Sequence, residues 1–164
     1  MKSTLKRFLS LMLCMCMVMA LLTNVTMTAF AATSGTVTGL ADENIGLSFT
    51  GDADDAWSAN GTSITGAATS TGGTCSDTSH SSTLTITNKK STTATLSFDY
   101  AIEQNSGTIQ VDGVAVTAGG KFSKELAPNA SIKVDIKSGS TTATKITMTN
   151  VALVADVSAT VTFQ

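Results

Sequence analysis

Two neighbouring segments with a strict two-residue alternation constrain the fold of this chain more than any other feature. In the first, 82–88, leucine and isoleucine occupy one side and threonine the other. In the second, 94–102, one side carries Ala94, Leu96, Phe98, Tyr100 and Ile102, and the other carries Thr95, Ser97, Asp99 and Ala101. A period of two predicts β-strands with one buried face. We expect the two segments to pair as the central hairpin of an antiparallel sheet.

The first 31 residues have the order of parts of a secretory signal peptide. Lys2, Lys6 and Arg7 give a basic start, and an apolar run and an Ala-Phe-Ala motif at 29–31 follow. This order is typical of an exported protein that is cleaved after the motif. No other apolar stretch is long enough for a membrane helix. The sequence therefore predicts a secreted or surface-located mature protein with no stable membrane span.

The composition of the mature chain excludes several classes of function. Cleavage removes three of the ten basic residues, including the only arginine, and leaves all twelve acidic ones, so the formal charge becomes −5. An acidic chain without arginine lacks the donors that bind phosphates and base edges, and we expect no nucleic-acid partner. Cys75 is the only cysteine left, so the fold cannot depend on an internal disulfide.

Local patterns divide the chain into four parts. We interpret 1–31 as a signal peptide helix, 32–44 as a lead-in segment or first edge strand, 45–154 as a β-sandwich module and 155–164 as a linker or the start of a further module. Within the module, Asp112-Gly113 predicts a two-residue hairpin that pairs Val111 with Val114. The apolar phase shifts by one residue after Met148, which predicts a β-bulge near Thr149-Asn150.

Many short alternating segments at spacings of roughly ten residues favour an all-β fold, an antiparallel β-sandwich. The segments ATLSFDY at 94–100 and ITMTNVALV at 146–154 resemble strands of the jelly-roll β-sandwich modules of secreted bacterial cell-surface and carbohydrate-binding proteins. The resemblance covers residues 45–154. It implies a jelly-roll-like sandwich and allows a structural calcium ion, but the chain has few of the aromatic residues with which such modules bind sugars.

Two candidate sites lie around the turn that precedes Trp57. Asp52, Asp54 and Asp55 crowd three carboxylates into one turn, which suits a calcium ion, although a solvated acidic turn is the simpler interpretation. Trp57 is the only indole, and a carbohydrate site would combine its ring with neighbouring polar residues. These are Asp54, Asp55, Ser58 and Asn60. The competing interpretation, which we favour, buries Trp57 as a plug of the core.

Other reactive residues do not form a recognisable catalytic pattern. Cys75 and His80 stand in a segment rich in glycine, serine and threonine without an evident orienting acid, so we do not expect a nucleophile and base. Asp99 and Glu103 are interpreted as outward strand acids, because their spacing along a strand does not indicate the separation that glycosidase carboxylates need. The sequence therefore predicts a protein that is not an enzyme.

Two classes of function remain. The first is a structural or adhesive unit of a bacterial surface or extracellular protein, and the 25 Thr and 17 Ser after residue 31 favour it because they give a hydrated, weakly charged surface. The alternative is a carbohydrate-binding module that uses Trp57. The expected partners are an extracellular glycan or another module of a longer chain.

Export gives the first testable prediction. N-terminal sequencing of the secreted protein should begin at or near Ala32, because the motif at 29–31 is the cleavage signal. A membrane-bound form that retains Met1 would contradict it.

Overall fold

The described part of the chain folds into eleven β-strands and no helix. The computed structural model describes residues 33–51, 57–69, 80–103, 107–139 and 143–155, so the predicted signal peptide helix and the segment 156–164 lie outside the described residues. The strands are β1 Thr33–Thr36, β2 Ile45–Gly51, β3 Trp57–Asn60, β4 Ser63–Ala68, β5 Ser81–Asn88, β6 Ala94–Glu103, β7 Thr108–Val111, β8 Val114–Val116, β9 Gly120–Leu126, β10 Ser131–Lys137 and β11 Thr144–Ala155.

The strands form two packed antiparallel sheets, which confirms the predicted β-sandwich. One sheet has six strands in the order β1-β2-β5-β10-β7-β8, and the other has five in the order β3-β4-β11-β6-β9. After β4 the chain crosses from one sheet to the other at every connection except the β7–β8 hairpin. This alternation between two sheets is the jelly-roll type of connectivity.

The predicted central hairpin is wrong, because its two strands belong to different sheets. β5 pairs with β2 and β10, whereas β6 pairs with β11 and β9. Each strand has one buried face, as the alternation indicated. The connection at 89–93 carries the chain across the sandwich, so these two faces meet through the core rather than side by side in one sheet.

The core lies between the two sheets and follows the predicted phase. Leu96 and Phe98 are buried, while Thr95 and Ser97 on the other face of β6 are partly exposed. Phe98 stacks on Phe122, its cross-strand neighbour in β9, with ring centroids 4.8 Å apart. The fully buried side chains come from both sheets and include Ile64, Leu84, Ile86, Leu96, Ile109, Ile132, Val134, Ile136, Ile146 and Met148.

One end of the sandwich is closed by the side chain of Asn88, which is fully buried at the end of β5. Its Nδ2 donates to the carbonyl oxygens of Leu126 at 2.9 Å, Thr92 at 3.0 Å and Ala127 at 3.2 Å, and its Oδ1 accepts from the backbone of Lys90 at 2.8 Å. A buried amide is tolerated when its donors and acceptor are paired. This amide therefore joins β5 to the end of β9 in the opposite sheet.

Several local predictions are confirmed by the backbone. Asp112 and Gly113 adopt positive φ values of 51° and 79°, and Val111 pairs with Val114 as predicted. Val114 is nevertheless 67% exposed, because β8 is the edge strand of its sheet. The lead-in segment contains the edge strand β1. The short edge strand β3 was missed, since its four residues have too few apolar positions to show a period.

The core assignment predicts different effects for two neighbouring residues of β6. Phe98→Ala should lower the free energy of unfolding by about 3–5 kcal/mol, because it leaves a cavity beside Phe122. Ser97→Ala, on the outer face, should change it by no more than about 0.5 kcal/mol. Urea unfolding of both variants measures the difference, and equal effects would mean that the inner and outer faces are assigned wrongly.

Candidate functional site

Strand ends from both sheets converge at one end of the sandwich, which we call the loop end. The registers place Gly51 beside Ser82, Ala68 beside Thr144 and Glu103 beside Lys145. Lys137 lies beside Thr108 in the same way. The strand ends that flank segments 52–56, 70–79, 104–106 and 140–142 therefore all lie here, opposite the end closed by Asn88. In β-sandwich proteins, segments displayed at one end of the strands are a common place for binding.

Buried polar side chains concentrate at the loop end. His80, Ser82, Ser138 and Thr144 are each at most 3% exposed, and they lie at the starts of β5 and β11 and the end of β10. The backbone N–H of His80 donates to Ser138 Oγ, and the N–H of Ser138 donates to the carbonyl of His80, both at 2.9 Å. This reciprocal pair joins the ends of β5 and β10 side by side.

Trp57 is a core residue of the loop end, as the favoured interpretation predicted. Its side chain is 7% exposed, and its Nε1 donates to Ser82 Oγ in the opposite sheet at 2.7 Å. The indole lies directly over Gly66, its cross-strand partner in β4, where any side chain would overlap the ring. The ring therefore presents no open face of the kind on which a sugar stacks.

Of the tentative carbohydrate site, the structure describes Trp57, Ser58 and Asn60, and these three do not share one face of β3. Ser58 and Asn60 are exposed on the outer face of β3, whereas Trp57 points inward from the same strand. Ser58 forms a hydrogen bond of 2.8 Å with Thr65 across the β3–β4 pair. The remaining members, Asp54 and Asp55, lie outside the described residues.

The tentative calcium site, Asp52, Asp54 and Asp55, also falls outside the described residues, as does Cys75. Within the described ranges there is no group of three or more histidine, cysteine, aspartate or glutamate residues that could hold a metal ion. The same part of the chain contains no helix long and apolar enough to span a membrane.

A different group of polar side chains converges on the outer face of the five-stranded sheet. Ser97 and Asp99 of β6, Lys121 and Ser123 of β9, and Asn150 of β11 line a hollow of about 310 Å³, which we call the polar hollow. Phe98 and Phe122 also line it. Its volume is at the lower end of the range for small-molecule sites, which begins at about 300 Å³.

The β-bulge in β11 places Asn150 at the polar hollow. The register shifts between Thr149 and Ala152, which confirms the predicted bulge, and Asn150 adopts a positive φ of 56°. Asparagine tolerates this left-handed conformation better than most residues. The N–H of Val151 donates to the carbonyl of Thr62 at 3.0 Å, which ties the bulge to the β3–β4 turn.

Asp99 is held from two sides. Asn150 Nδ2 donates to its Oδ2 at 2.9 Å, and Lys121 Nζ lies 3.0 Å from its Oδ1. The hydrogen bond from Asn150 and then that from Lys121 lower the pKa of Asp99 below its ordinary value of 3.8. The stability gained from the ionised form is therefore present above that ordinary value and is lost as the pH falls through the lowered pKa. The carboxylate is charged throughout the neutral range.

The outer face of the six-stranded sheet has a smaller hollow of about 220 Å³ near the loop end. Thr83 Oγ1 donates to Asp135 Oδ1 there at 2.5 Å, and Gln110 and Lys137 lie beside them. The aspartate in this hollow is bound by a hydroxyl rather than by an amide and an ammonium group.

The sequence did not identify the polar hollow. Asp99 was interpreted as a solvated strand acid, and the bulge was predicted without a partner for Asn150. The available signal was the combination of an inserted residue and an asparagine, which suits a left-handed position. This signal did not indicate Asp99 as the partner of Asn150. The incorrect hairpin prediction placed β6 beside β5, whereas β6 lies between β11 and β9.

Comparison of the chain with protein-family models, with curated proteins and with solved structures gave no match.

The packing of Trp57 on Gly66 gives a prediction for the loop end. Gly66→Ala should lower the free energy of unfolding by about 1–3 kcal/mol, because the added methyl group must displace the indole. It should also shift the fluorescence of Trp57, the only tryptophan. Urea unfolding followed by that fluorescence measures both effects.

Gly46→Ala is the matched control, since Gly46 is also buried in a strand. An added methyl group there meets only the flexible end of Lys89, at 2.6 Å. We expect the free energy of unfolding of this variant to stay unchanged or to rise by up to about 1 kcal/mol, because alanine reduces the conformational freedom of the unfolded chain. Equal losses in the two variants would show that the Trp57 ring does not cover Gly66.

Proposed function

We propose that this chain is a non-catalytic, exported β-sandwich module that serves as a structural or adhesive unit of a bacterial surface or extracellular protein. The observation that carries the proposal is the part of the outer face of the six-stranded sheet that β1, β2 and β5 form, where hydroxyl side chains lie in register across neighbouring strands. Such a face stays hydrated and adds little charge, which suits a module that must remain folded and separate among crowded neighbours.

The hydroxyl rows can be followed strand by strand. Thr36 of β1 pairs with Ser48 of β2, which pairs with Thr85 of β5. A parallel row runs from Ser34 through Thr50 to Thr83. Cross-strand partners share one face of a sheet, so these side chains form a continuous polar surface. Threonine also stabilises the strands that carry it, since β-branched residues favour extended backbone.

The edge of the five-stranded sheet supports the same function. β9 is an edge strand, and it exposes Lys121, Lys124 and Glu125. Lys124 forms an ion pair of 2.5 Å with Asp112 of the β7–β8 turn. Charged residues on an edge strand oppose pairing with the edge of another molecule. The net charge of −5 predicted for the mature chain adds mutual repulsion between copies.

The carbohydrate-binding alternative, as first formulated, depended on an open Trp57 ring. Its burial leaves that version without a stacking platform, so structural support and adhesion through other surfaces remain the preferred proposal. Bound calcium at Asp52, Asp54 and Asp55 and attachment to another module of a longer chain stay hypotheses.

The hydroxyl face can be tested by a double substitution. Thr85→Val/Thr87→Val keeps the β-branched shape and should leave the melting temperature nearly unchanged, but it should cause the secreted protein to self-associate. The reason is that it replaces adjacent hydroxyls on β5 by an apolar patch. Light scattering of the exported full chain at increasing concentration measures the effect, with the wild type expected to remain monomeric.

Thr92→Val/Thr93→Val is the matched control, because these residues lie in the connection between β5 and β6 rather than on the sheet face. It should remain monomeric. Two results would contradict the proposal: self-association of the wild type at low concentration, or turnover of a panel of soluble polysaccharides and ester substrates by the purified protein.

A further inference from the structure

We propose that the polar hollow binds a neutral, hydroxyl-rich ligand, namely a sugar unit of an extracellular glycan. The inference deepens the adhesive part of the proposed function and rests on it. The site differs from the one considered around Trp57 in its residues and in the way it would contact the ligand.

The chemistry of the polar hollow selects the ligand class. Asp99 and Lys121 are paired at 3.0 Å, so the charges that line the hollow cancel and favour neither an anion nor a cation. Around this pair stand an amide, Asn150, and two hydroxyls, Ser97 and Ser123. Amide and hydroxyl groups both donate and accept hydrogen bonds, as the hydroxyls of a sugar do.

The groups in the hollow retain hydrogen-bonding capacity for a ligand. A carboxylate offers about four acceptor positions, and Asn150 and Lys121 take one position on each oxygen of Asp99. The carbonyl oxygen of Asn150 can accept, and the ammonium group of Lys121, whose side chain is 87% exposed, can donate outward. Neighbouring hydroxyls of one sugar ring could therefore donate to Asp99 and accept from Lys121 at the same time.

The part of the site on β6 and β11 is preformed, which reduces the entropic cost of binding. Asp99 and Ser97 stand on β6, a central strand that is paired on both sides. The bulge holds Asn150 in place, and its amide is already bound to Asp99 at 2.9 Å. Beneath the outer residues, the stacked rings of Phe98 and Phe122 support the β6–β9 pair.

An aliphatic strip borders the polar hollow on the same face. Ala152 pairs with Ser97, and Val154 pairs with Thr95 one step further along β11. Val154 is 62% exposed, which is unusual among the large apolar side chains of the described residues. A sugar ring has a C–H face as well as hydroxyls, and this strip could cover that face. Because it is aliphatic and shallow, we expect a Kd on the order of millimolar for one sugar unit.

The test uses NMR titration of the exported full chain with four separate probes. The probes are the methyl glycosides of glucose, galactose, mannose and N-acetylglucosamine. At least one should shift the backbone resonances of Ser97, Asp99 and Ser123 and the side-chain amide of Asn150, with saturation at concentrations about tenfold above the expected Kd.

Two asparagine variants separate recognition from backbone geometry. Asn150→Gly keeps the left-handed conformation, which glycine adopts readily, but removes the side-chain amide. The Kd for the sugar should therefore rise at least about tenfold, which corresponds to the loss of one amide contact. Asn129→Gly is the matched control: Asn129 also has a positive φ, 61°, but lies in the β9–β10 turn. It should bind like the wild type.

Three results would overturn the inference: no shift with any probe, shifts confined to residues such as Ser58 and Asn60, or unchanged binding by Asn150→Gly. None of them would alter the outcome of the light-scattering test, so loss of this inference can be distinguished from loss of the structural proposal.

Discussion

The sandwich depends on strand β5, because polar side chains join it to the opposite sheet at both ends. At the loop end, Ser82 accepts a hydrogen bond of 2.7 Å from the indole of Trp57. At the other end, the amide of Asn88 binds carbonyl groups of Leu126 and Ala127. Apolar packing is non-directional, whereas these buried hydrogen bonds have defined partners and an unpaired donor would be costly. They therefore specify how the two sheets face each other, and the apolar side chains fill the space between them.

The sequence predicted what depends on local geometry and failed where the partner of a strand had to be known. Alternation identified the buried face of β6, and Asp112-Gly113 identified a hairpin because both residues suit positive φ. The same alternation could not show whether β6 pairs with β5 in one sheet or lies opposite it across the core. Both arrangements bury the same face of β6. The five-residue connection after Asn88 was therefore interpreted as a turn, although it crosses between sheets.

The candidate site was only partly predictable for a related reason. Trp57 was correctly favoured as a buried residue, because a large apolar side chain in a chain with few of them is of most use in the core. The bulge at Asn150 was predicted from a phase shift within one strand. Its pairing with Asp99 joins two residues 51 positions apart, and the contact exists only because β11 inserts beside β6. No periodicity within either segment carries that information.

The bulge in β11 also shows how a surface can change while a core is preserved. If Asn150 were absent, Met148, Val151 and Leu153 would alternate without interruption and still face inward. The inserted residue is therefore unnecessary for the core and matters mainly to the outer face. A single-codon insertion in an ancestral regular strand would have been enough to add a polar side chain there, and a single-codon deletion would remove it. Evolution could thus gain or lose the amide at this position of the sheet in one step, without redesigning the sandwich beneath it.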